Sequence, residues 1–215
     1  TGPSGSGKSS LLTVAATLTS PDSGSVEIAG IETTSLNQKE KTAVRRDHVG
    51  IVFQPPNLIP SLTVAEQLEI VARLGAGTFK GISKKESQER IESALEAVGM
   101  LDRAHHRPGA LSGGQRQRVN IARAIIHQPE VLLVDEPTSA LDQERSQAII
   151  ELLVETTHKR DLATVVVTHA QEQLAEFDSA YRMVDGVLSA DGDAGKANVG
   201  TGSHAHTHAK APEYV

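Results

Sequence analysis

The sequence predicts an α/β fold, in which a core built on a parallel sheet is interrupted by a helical insert. Three short apolar runs, at residues 49–53, 131–134 and 164–167, are bounded by turn signals, which is typical of strands buried on both faces of a parallel sheet. Between the first two runs, residues 57–110 show helical apolar spacing and no strand signal. We therefore expect an α/β core at residues 1–56 and 111–188, a helical subdomain at 57–110, and a disordered tail at 189–215.

The composition fits a globular protein and disfavours several kinds of site. The 215 residues are 38% hydrophobic and 22% charged, which is enough to build a core with an insert. Aromatic residues make up only 2% and the net charge is −6, so we expect no nucleic-acid partner. The absence of cysteine excludes disulfides and thiolate metal sites. No apolar run reaches the roughly 18 residues that predict a bilayer span.

A phosphate-binding loop is predicted at residues 2–9, where GPSGSGKS follows the pattern G-x-x-x-x-G-K-[ST]. Glycines let the backbone curl so that successive N–H groups point at phosphate oxygens. Lys8 is then expected to reach the terminal phosphates, and the Ser9 hydroxyl to bind Mg²⁺. The alternative is a flexible Gly/Ser-rich turn, but helical apolar spacing at residues 11–15 favours the phosphate loop. The predicted nucleotide-binding residues here are Gly2, Pro3, Ser4, Gly5, Ser6, Gly7, Lys8, Ser9 and Ser10.

The next segments predict a hairpin, a helix and the first buried strand. Residues 23–31 alternate apolar and polar side chains around a glycine, which indicates a β-hairpin, and residues 37–47 are predicted as a charged helix. The run 49–53 then places Gln54 at a strand end, before two prolines stop the strand. Such a glutamine is commonly just a polar strand end. Beside a phosphate loop, its amide oxygen is also suited to bind Mg²⁺ or to hold an attacking water.

Two helices are predicted within the insert. Apolar spacing predicts one helix at residues 62–72. A capping box at residues 83–86 opens the other, which carries Ile91, Leu95 and Val98 on one face. This pattern is why the insert is expected to be a helical subdomain.

A glycine turn, a helix, a buried strand and two carboxylates follow the insert. The helix is expected to end near residues 128–129, and its N-terminus offers unpaired N–H groups and a positive dipole end to an anion. The strand 131–134 places Asp135 and Glu136 at its carboxyl end, where α/β sheets bind ligands. An ordinary strand-to-turn junction is the alternative for these two carboxylates. The predicted nucleotide-binding residues of the glycine turn are Ser112, Gly113, Gly114 and Gln115.

A histidine is predicted at the same sheet edge. An amphipathic helix at residues 143–159 leads to the strand 164–167, and His169 follows that strand. Because the carboxyl ends of parallel strands meet at one edge, we expect His169 to lie beside Asp135 and Glu136. A lone histidine is commonly structural, whereas this one occupies a position suited to catalysis.

The other notable histidines are predicted to be solvated. His105 and His106 lie in a loop without a nearby set of metal ligands. His204, His206 and His208 alternate in the predicted tail, where weak metal binding is the alternative interpretation. None of these five residues is therefore predicted to form a metal site.

Together these motifs resemble the ATPase subunit of an ATP-binding-cassette (ABC) transporter. The resemblance covers about residues 1–188 and consists, in family order, of GPSGSGKS, Gln54, LSGGQ, VLLVDE, SALD and His169. The segment GIVFQPPNLIPSLTVAEQL is further similar to the macrolide-exporter and lipoprotein-release group, whose relatives include haem exporters and a cell-division pair. The fold that this implies is a P-loop NTPase core of the RecA-like type, with an antiparallel hairpin region and an inserted α-helical subdomain.

The resemblance also implies how the motifs share the chemistry. Two ATP molecules would lie in a head-to-tail homodimer, each between the phosphate loop of one subunit and the LSGGQ turn of the other. Mg²⁺ would be held by Ser9, Gln54 and Asp135. Glu136 would act as general base, His169 would contact the γ-phosphate, and Gln54 would complete the catalytic set. The SALD loop would cross the dimer interface and couple the two sites.

A further expectation concerns what precedes the first motif. A phosphate loop is expected to follow a strand, and relatives stack adenine on an aromatic residue upstream of that loop. Neither feature lies before Thr1, so the sequence looks truncated at its N-terminus. The activity of this fragment alone therefore stays open.

An energy-coupling ATPase that drives a separate membrane permease is the leading functional hypothesis, which implies a peripheral location on the cytoplasmic face of the membrane. ATPases of DNA repair or chromosome organisation carry long coiled coils between the glutamine and LSGGQ, and the insert is too short for those. Translation-type members carry two cassettes, and a simple P-loop kinase would not need LSGGQ or SALD. A regulator of the cell-division type stays open.

Overall fold

Strand pairing organises the computed structural model, which describes residues 1–74, 77–79 and 81–190. The strands are β1 (Glu27–Ile28), β2 (Ile31–Glu32), β3 (Val49–Val52), β4 (Val131–Asp135), β5 (Ala163–Val167), β6 (Tyr181–Val184) and β7 (Val187–Ala190). The α-helices are α1 (Lys8–Ala15), α2 (Gln38–His48), α3 (Val64–Arg73), α4 (Lys84–Ala97), α5 (Gly113–Ile125) and α6 (Gln143–Arg160). Short 3₁₀ helices occupy Gly77–Phe79, Leu101–Arg103, Pro108–Ala110 and Gln171–Glu176. Within these ranges, no helix has the length and apolar character needed to cross a bilayer.

A three-stranded parallel sheet in the order β3-β4-β5 forms the centre, as the sequence predicts. Val131 of β4 pairs with Val49 on one side and with Ala163 on the other. Successive side chains of β4 point to opposite faces: Leu132 joins a cluster with α3, α4, α5 and α6, and Leu133 joins a second cluster with α1 and α2. Helices therefore cover both faces of the sheet, which confirms the predicted α/β architecture.

Two antiparallel hairpins flank this sheet. The pair β1–β2 confirms the hairpin predicted at residues 23–31. The pair β6–β7 was not predicted, although its turn carries a recognisable signal. Asp185 and Gly186 have φ of 47° and 79°, the left-handed pair that a two-residue hairpin turn favours. Strand β7 ends at Ala190, inside the segment predicted as a tail from residue 189. Residues 191–215, with the three alternating histidines, lie outside the described residues.

The described residues of the insert, 57–110, contain only α-helical, 3₁₀ and loop structure. The Thr63 side chain caps α3 by accepting from the Glu66 N–H, and the Glu66 carboxylate accepts from the Thr63 N–H. Ser83 caps α4 by accepting from the Glu86 N–H at 3.2 Å. The Glu86 carboxylate accepts from Arg90 at 2.8 Å, so α3 begins with a full capping box, whereas only the Ser83 half of the box predicted at residues 83–86 forms.

A shared hydrophobic cluster joins the insert to α5. Leu68 of α3 and Ile91 and Leu95 of α4 lie in the same buried cluster as Ile121 and Ile125 of α5. All five side chains are at most 2% exposed. Helix α5 is thus packed against the insert on one side and the sheet on the other.

Helix α5 ends at Ile125, earlier than the end predicted near residues 128–129. Gln128 has φ of 57°, a conformation through which an α-helix does not continue, and its N–H donates to the Ile125 carbonyl at 3.0 Å. The proline that follows therefore marks the end of the turn rather than the end of the helix.

A glycine lets β3 approach α5 closely. A Cβ added at Gly50 would overlap the Ala124 carbonyl oxygen of α5 and lie 3.0 Å from Leu132 Cδ1. The spacing between the sheet and α5 therefore depends on the missing side chain at this position.

We expect Gly50→Ala to lower the free energy of unfolding by about 1–3 kcal/mol, because the added methyl group forces α5 away from the sheet. Gly109→Ala is the matched control, since a Cβ there meets no atom within 4 Å and should change stability by less than about 0.5 kcal/mol. Urea unfolding followed by circular dichroism measures both values. Equal losses in the two variants would show that close packing at residue 50 is not limiting.

Candidate nucleotide-binding and hydrolysis site

The phosphate loop curls at three glycines immediately before α1. Gly2, Gly5 and Gly7 have φ of 144°, 79° and 100°, in the region that side-chain-bearing residues rarely adopt. At Gly2, an added Cβ would overlap the Met183 carbonyl oxygen of β6. The β6–β7 hairpin, which the sequence analysis did not predict, therefore packs against the phosphate loop.

Lys8 is folded back on this loop. Its Nζ donates to the Gly2 and Pro3 carbonyls, each at 2.8 Å, and the residue is only 8% exposed. An ammonium group has three N–H donors, so one donor remains for a phosphate oxygen. The other predicted residues of this region divide into the exposed Pro3, Ser4, Gly5, Ser9 and Ser10, the half-buried Gly2 and Gly7, and the buried Ser6.

A hydroxyl and a carboxylate meet beside the loop. Ser9 Oγ, in the first turn of α1, donates to Asp135 Oδ1 at the end of β4 at 3.2 Å. Both groups are hard oxygen ligands of the kind that Mg²⁺ prefers. The chemistry of this pair therefore fits a magnesium site.

Glu136 is held at the sheet edge by its backbone and its side chain. Its N–H donates to the Val167 carbonyl at 2.8 Å, which extends the β4–β5 pairing by one residue, and its φ is 44°. Its carboxylate Oε2 lies 3.1 Å from His169 Nδ1. The glutamate side chain is 21% exposed and the histidine side chain 62%, so the pair faces a solvent-accessible space. The structure thus brings Glu136 and His169 together, as expected.

The amide of Gln54 is oriented by a serine of the SALD loop. Gln54 Nε2 donates to Ser139 Oγ at 3.1 Å, and Ser139 Oγ donates to the Glu136 carbonyl at 3.2 Å. A hydroxyl has one proton, and here that proton goes to Glu136, so the hydroxyl accepts from the amide nitrogen. The amide oxygen of Gln54 is therefore the atom left for a cation or a water.

The glycine turn at the start of α5 forms a complete capping box. Ser112 Oγ accepts from the Gln115 N–H at 3.3 Å, and Gln115 Oε1 accepts from the Ser112 N–H at 2.9 Å. Ser112 keeps its own proton to donate, and the N–H groups of Gly113 and Gly114 remain at the helix end. The close neighbours at these two glycines belong to the SALD loop and α6, namely Leu141 and Arg145, rather than to the phosphate loop.

The two loop histidines lie apart from this edge. His105 is exposed, and His106 Nε2 lies 3.4 Å from Arg103 Nη1. In the described part of the chain, no group of three or more histidine, aspartate or glutamate side chains is placed to hold a metal ion.

Sequence reasoning missed two residues that hold the Gln54 segment. Asn120 and Arg123 of α5 donate to the backbone carbonyls of residues 53, 56 and 57. A signal was available, because Asn120 interrupts the apolar face of its helix and is fully buried. A polar residue at such a position must find a partner, and here the partner is a carbonyl beside the site.

Three groups converge at one sheet edge: the lysine in its glycine loop, the hydroxyl–carboxylate pair and the carboxylate–histidine pair. Comparison with known proteins identifies the family. Residues 1–139 match the family model described as ABC transporter. The chain belongs to the ABC transporter family. It is an ATP-binding and ATP-hydrolysing member, as the motifs predict.

Relatives of this ABC ATPase place it near the group that the sequence suggested. The lipoprotein-releasing system ATP-binding protein LolD 1 of Rhodopirellula baltica is 41% identical over 187 residues, which cover 87% of this chain and 80% of that protein. The macrolide export ATP-binding/permease protein MacB of Rhodopseudomonas palustris is 42% identical over 190 residues, which cover 88% of this chain but only 28% of that protein. The resemblance to the macrolide-exporter and lipoprotein-release group is confirmed.

A solved structure supports the fold of this ABC ATPase. The dimeric post-hydrolysis state of the ATP-binding cassette MJ0796, bound to ADP and Pi, is 37% identical in sequence and superposes with a TM-score of 0.77. The match covers 88% of this chain and 82% of that one. The predicted P-loop NTPase architecture is confirmed.

Proposed function

We propose that this ABC ATPase powers a separate membrane permease, by binding ATP with Mg²⁺ between two copies of itself and hydrolysing it there. The observation that carries the proposal is the division of the phosphate-binding groups. The loop with Lys8, the Ser9–Asp135 pair and the Glu136–His169 pair share one edge. The turn at Ser112 has anion-binding donors, and the side chains closest to its two glycines are Leu141 and Arg145 rather than phosphate-loop residues of the same subunit. A turn of that kind suits the nucleotide of a second subunit.

The phosphate loop would bind the triphosphate of ATP in the first step. Its curled backbone presents N–H groups, α1 adds the positive end of its dipole, and the third donor of Lys8 reaches the terminal phosphates. The loop is already seated on β6, so little reorganisation is needed when the nucleotide binds.

Ser9, Asp135 and the free amide oxygen of Gln54 would hold Mg²⁺, which supplies positive charge to the β- and γ-phosphate oxygens. The role of the chain is to fix those three oxygens. Ser9 comes from α1, Asp135 from β4 and Gln54 from the loop after β3, so the sheet and α1 set their spacing.

Glu136 would take the proton from an attacking water while the water oxygen bonds to the γ-phosphorus. The bond from that phosphorus to the β–γ bridging oxygen breaks, which leaves ADP and phosphate. His169 Nδ1 lies against the Glu136 carboxylate, and in the imidazolium form, where both ring nitrogens carry a proton, Nε2–H would donate to the γ-phosphate as charge develops there. The same histidine would thus hold the base in place and stabilise the transition state.

The glycine turn would act on the nucleotide of the opposite subunit in a head-to-tail homodimer. The Ser112 hydroxyl and the N–H groups of Gly113 and Gly114 would donate to its γ-phosphate, together with the dipole of α5. Residues 139–142 would lie at the interface, where Ser139 already touches Gln54. ATP therefore favours the closed dimer, because only that state uses both sets of donors.

We assign the helical segment 57–110 as a subdomain distinct from the core at residues 1–56 and 111–188. The permease would dock on this subdomain and on the region after Gln54.

The location that follows for the ATPase is peripheral, on the cytoplasmic face of the membrane. We propose an exporter of the macrolide, lipoprotein or haem type, and relatives named for macrolide export and lipoprotein release support the first two of these. No nucleic-acid partner is proposed.

We expect Glu136→Gln to lower kcat by about 10²–10⁴-fold, because the amide cannot accept the water proton. The variant should still bind ATP and accumulate as a dimer, since the phosphate loop and the Ser112 turn are unchanged. Glu151→Gln, on the exposed side of α6, is the control and should match the wild type. Steady-state phosphate release and light scattering measure the two properties. Near wild-type hydrolysis by Glu136→Gln would remove this residue from its role.

We expect Ser112→Arg to abolish ATP-dependent dimerisation while leaving the ATP affinity of the monomer within about threefold, because the turn acts on the partner's nucleotide and a threefold change is under 1 kcal/mol. Ser93→Arg, an exposed serine of α4, controls for the added bulk and charge. Analytical ultracentrifugation measures the dimer, and calorimetry with ATP measures the affinity. A collapse of monomer affinity in Ser112→Arg alone would place the turn in its own subunit's site.

The transport assignment is tested by tagging the protein in its own cell, solubilising gently and identifying the proteins that co-purify. We expect a permease with few membrane spans and a large extracytoplasmic domain. A permease of importer type would keep the chemistry and reverse the direction. Recovery of a membrane-bound regulator of a cell-wall enzyme would favour the cell-division type of function. Soluble partners or nucleic acid alone would contradict the transport assignment.

A further inference from the structure

Two side chains of α5 donate hydrogen bonds to the backbone on both sides of Gln54. Asn120 Nδ2 donates to the Phe53 carbonyl at 3.0 Å, just before the glutamine. Arg123 donates from Nη2 to the Pro56 carbonyl at 2.8 Å and from Nη1 to the Asn57 carbonyl at 3.2 Å, just after it. We call these three hydrogen bonds from Asn120 and Arg123 the α5 clamp.

The clamp joins a fully buried residue, Asn120, to a half-buried one, Arg123. Asn120 is fully buried, and its Oδ1 accepts from Arg123 Nη2 at 3.0 Å, so each side chain orients the other. The amide of Asn120 thereby uses its nitrogen on the loop and its oxygen on the arginine.

Arg123 carries its charge without a carboxylate partner in the described part of the chain. Its recorded acceptors are two backbone carbonyls and one amide oxygen. Burial lowers the pKa of its guanidinium, which reflects the cost of removing the charge from water. A desolvated cation with only neutral acceptors adds little net stability, but its planar fork holds two successive carbonyls in a fixed orientation.

The same helix carries the glycine turn. Ser112 caps α5, and Asn120 and Arg123 lie eight and eleven positions further along, which is about 12–17 Å at 1.5 Å per residue. A continuous helix of this length moves as a unit. A displacement of the Ser112 turn is therefore transmitted to the backbone on both sides of Gln54.

We infer that Asn120 and Arg123 are positioning residues that make Gln54 move with the Ser112 turn, and so couple the two ATP sites of the dimer. This rests on the proposed function, in which the turn of one subunit binds the partner's nucleotide while Gln54 serves its own. Binding at one site then sets the position of Gln54 at the other through α5. The coupling is mechanical, and for binding free energies it is reciprocal, as linkage requires.

The first test measures the clamp without relying on the dimer. The chain has no cysteine, so Gln54→Cys can carry a single nitroxide label whose mobility is read by electron paramagnetic resonance. Arg123→Lys, which offers a point charge in place of a fork, should raise the mobility of the label. Arg118→Lys is the matched control, because Arg118 also lies on α5 and donates to a carbonyl, that of Val98 in the insert, at 3.1 Å. Equal mobility in the two variants would overturn the clamp.

The second test measures the coupling in the unlabelled protein. Arg123→Lys should lower kcat about tenfold, which is 1.4 kcal/mol of lost positioning, and should bring the Hill coefficient for ATP towards one with little change in KM. In a Gln54→Ala background the same substitution should change kcat by less than about twofold, because the residue through which it acts is gone. Arg118→Lys should leave kcat and the Hill coefficient unchanged in both backgrounds.

The outcomes separate this inference from the proposed function. If Arg123→Lys lowers kcat by the same factor in the wild-type and Gln54→Ala backgrounds, the role of Arg123 is structural and the inference is wrong. If the lysine variant unfolds, Arg123→Gln, which keeps one amide donor, is used for the same comparison. If the wild type itself does not dimerise with ATP, the proposed function fails while the mobility result stands. If the wild type dimerises and Arg123→Lys matches it in kcat and Hill coefficient, only the coupling fails.

Discussion

The pairing of β4 with a parallel strand on each side is the constraint on which the rest of the structure depends. The ladder fixes the carboxyl ends of β3, β4 and β5 at one edge, and those ends carry Gln54, Glu136 and His169. The Glu136 N–H continues the ladder to the Val167 carbonyl, which holds Glu136 at a φ of 44° that its side chain alone does not favour. Without this strand pairing, the backbone would not hold these three side chains at the same edge.

Helix α5 is the second element that organises the molecule, because it packs on both the sheet and the insert. Gly50 lets it approach β3, and its buried apolar residues share one cluster with α3 and α4. Its N-terminus presents the glycine turn, and its middle holds the Gln54 loop through Asn120 and Arg123. The phosphate loop, by contrast, depends on α1 and the β6–β7 hairpin. The two sets of groups that we propose to bind phosphate are thus carried by different parts of the fold.

The sequence was sufficient to predict the parallel sheet, the first hairpin and the meeting of Glu136 with His169, because apolar runs and strand ends carry that information locally. It did not predict that the β6–β7 hairpin packs against the phosphate loop, because the contact of Gly2 with Met183 joins residues that are far apart in the sequence. The bond from Gln54 to Ser139 was missed for the same reason. Residues whose partner is a distant backbone atom leave only indirect signals, such as a buried asparagine on an apolar helix face.

Each reactive side chain of the site is already bonded within the chain. Lys8 holds loop carbonyls, Ser9 holds Asp135, Glu136 holds His169 and Gln54 holds Ser139. When ATP binds, these side chains exchange existing hydrogen bonds for new ones. The net free energy of binding is therefore smaller than the new contacts alone suggest. In the proposed function, the net gain comes from Mg²⁺ and from donors that are still free, namely the third proton of Lys8, loop N–H groups, His169 Nε2 and the glycine turn of a second subunit. In that proposal a monomer lacks the glycine turn of the second subunit, so closure of the dimer adds binding free energy that a monomer cannot supply.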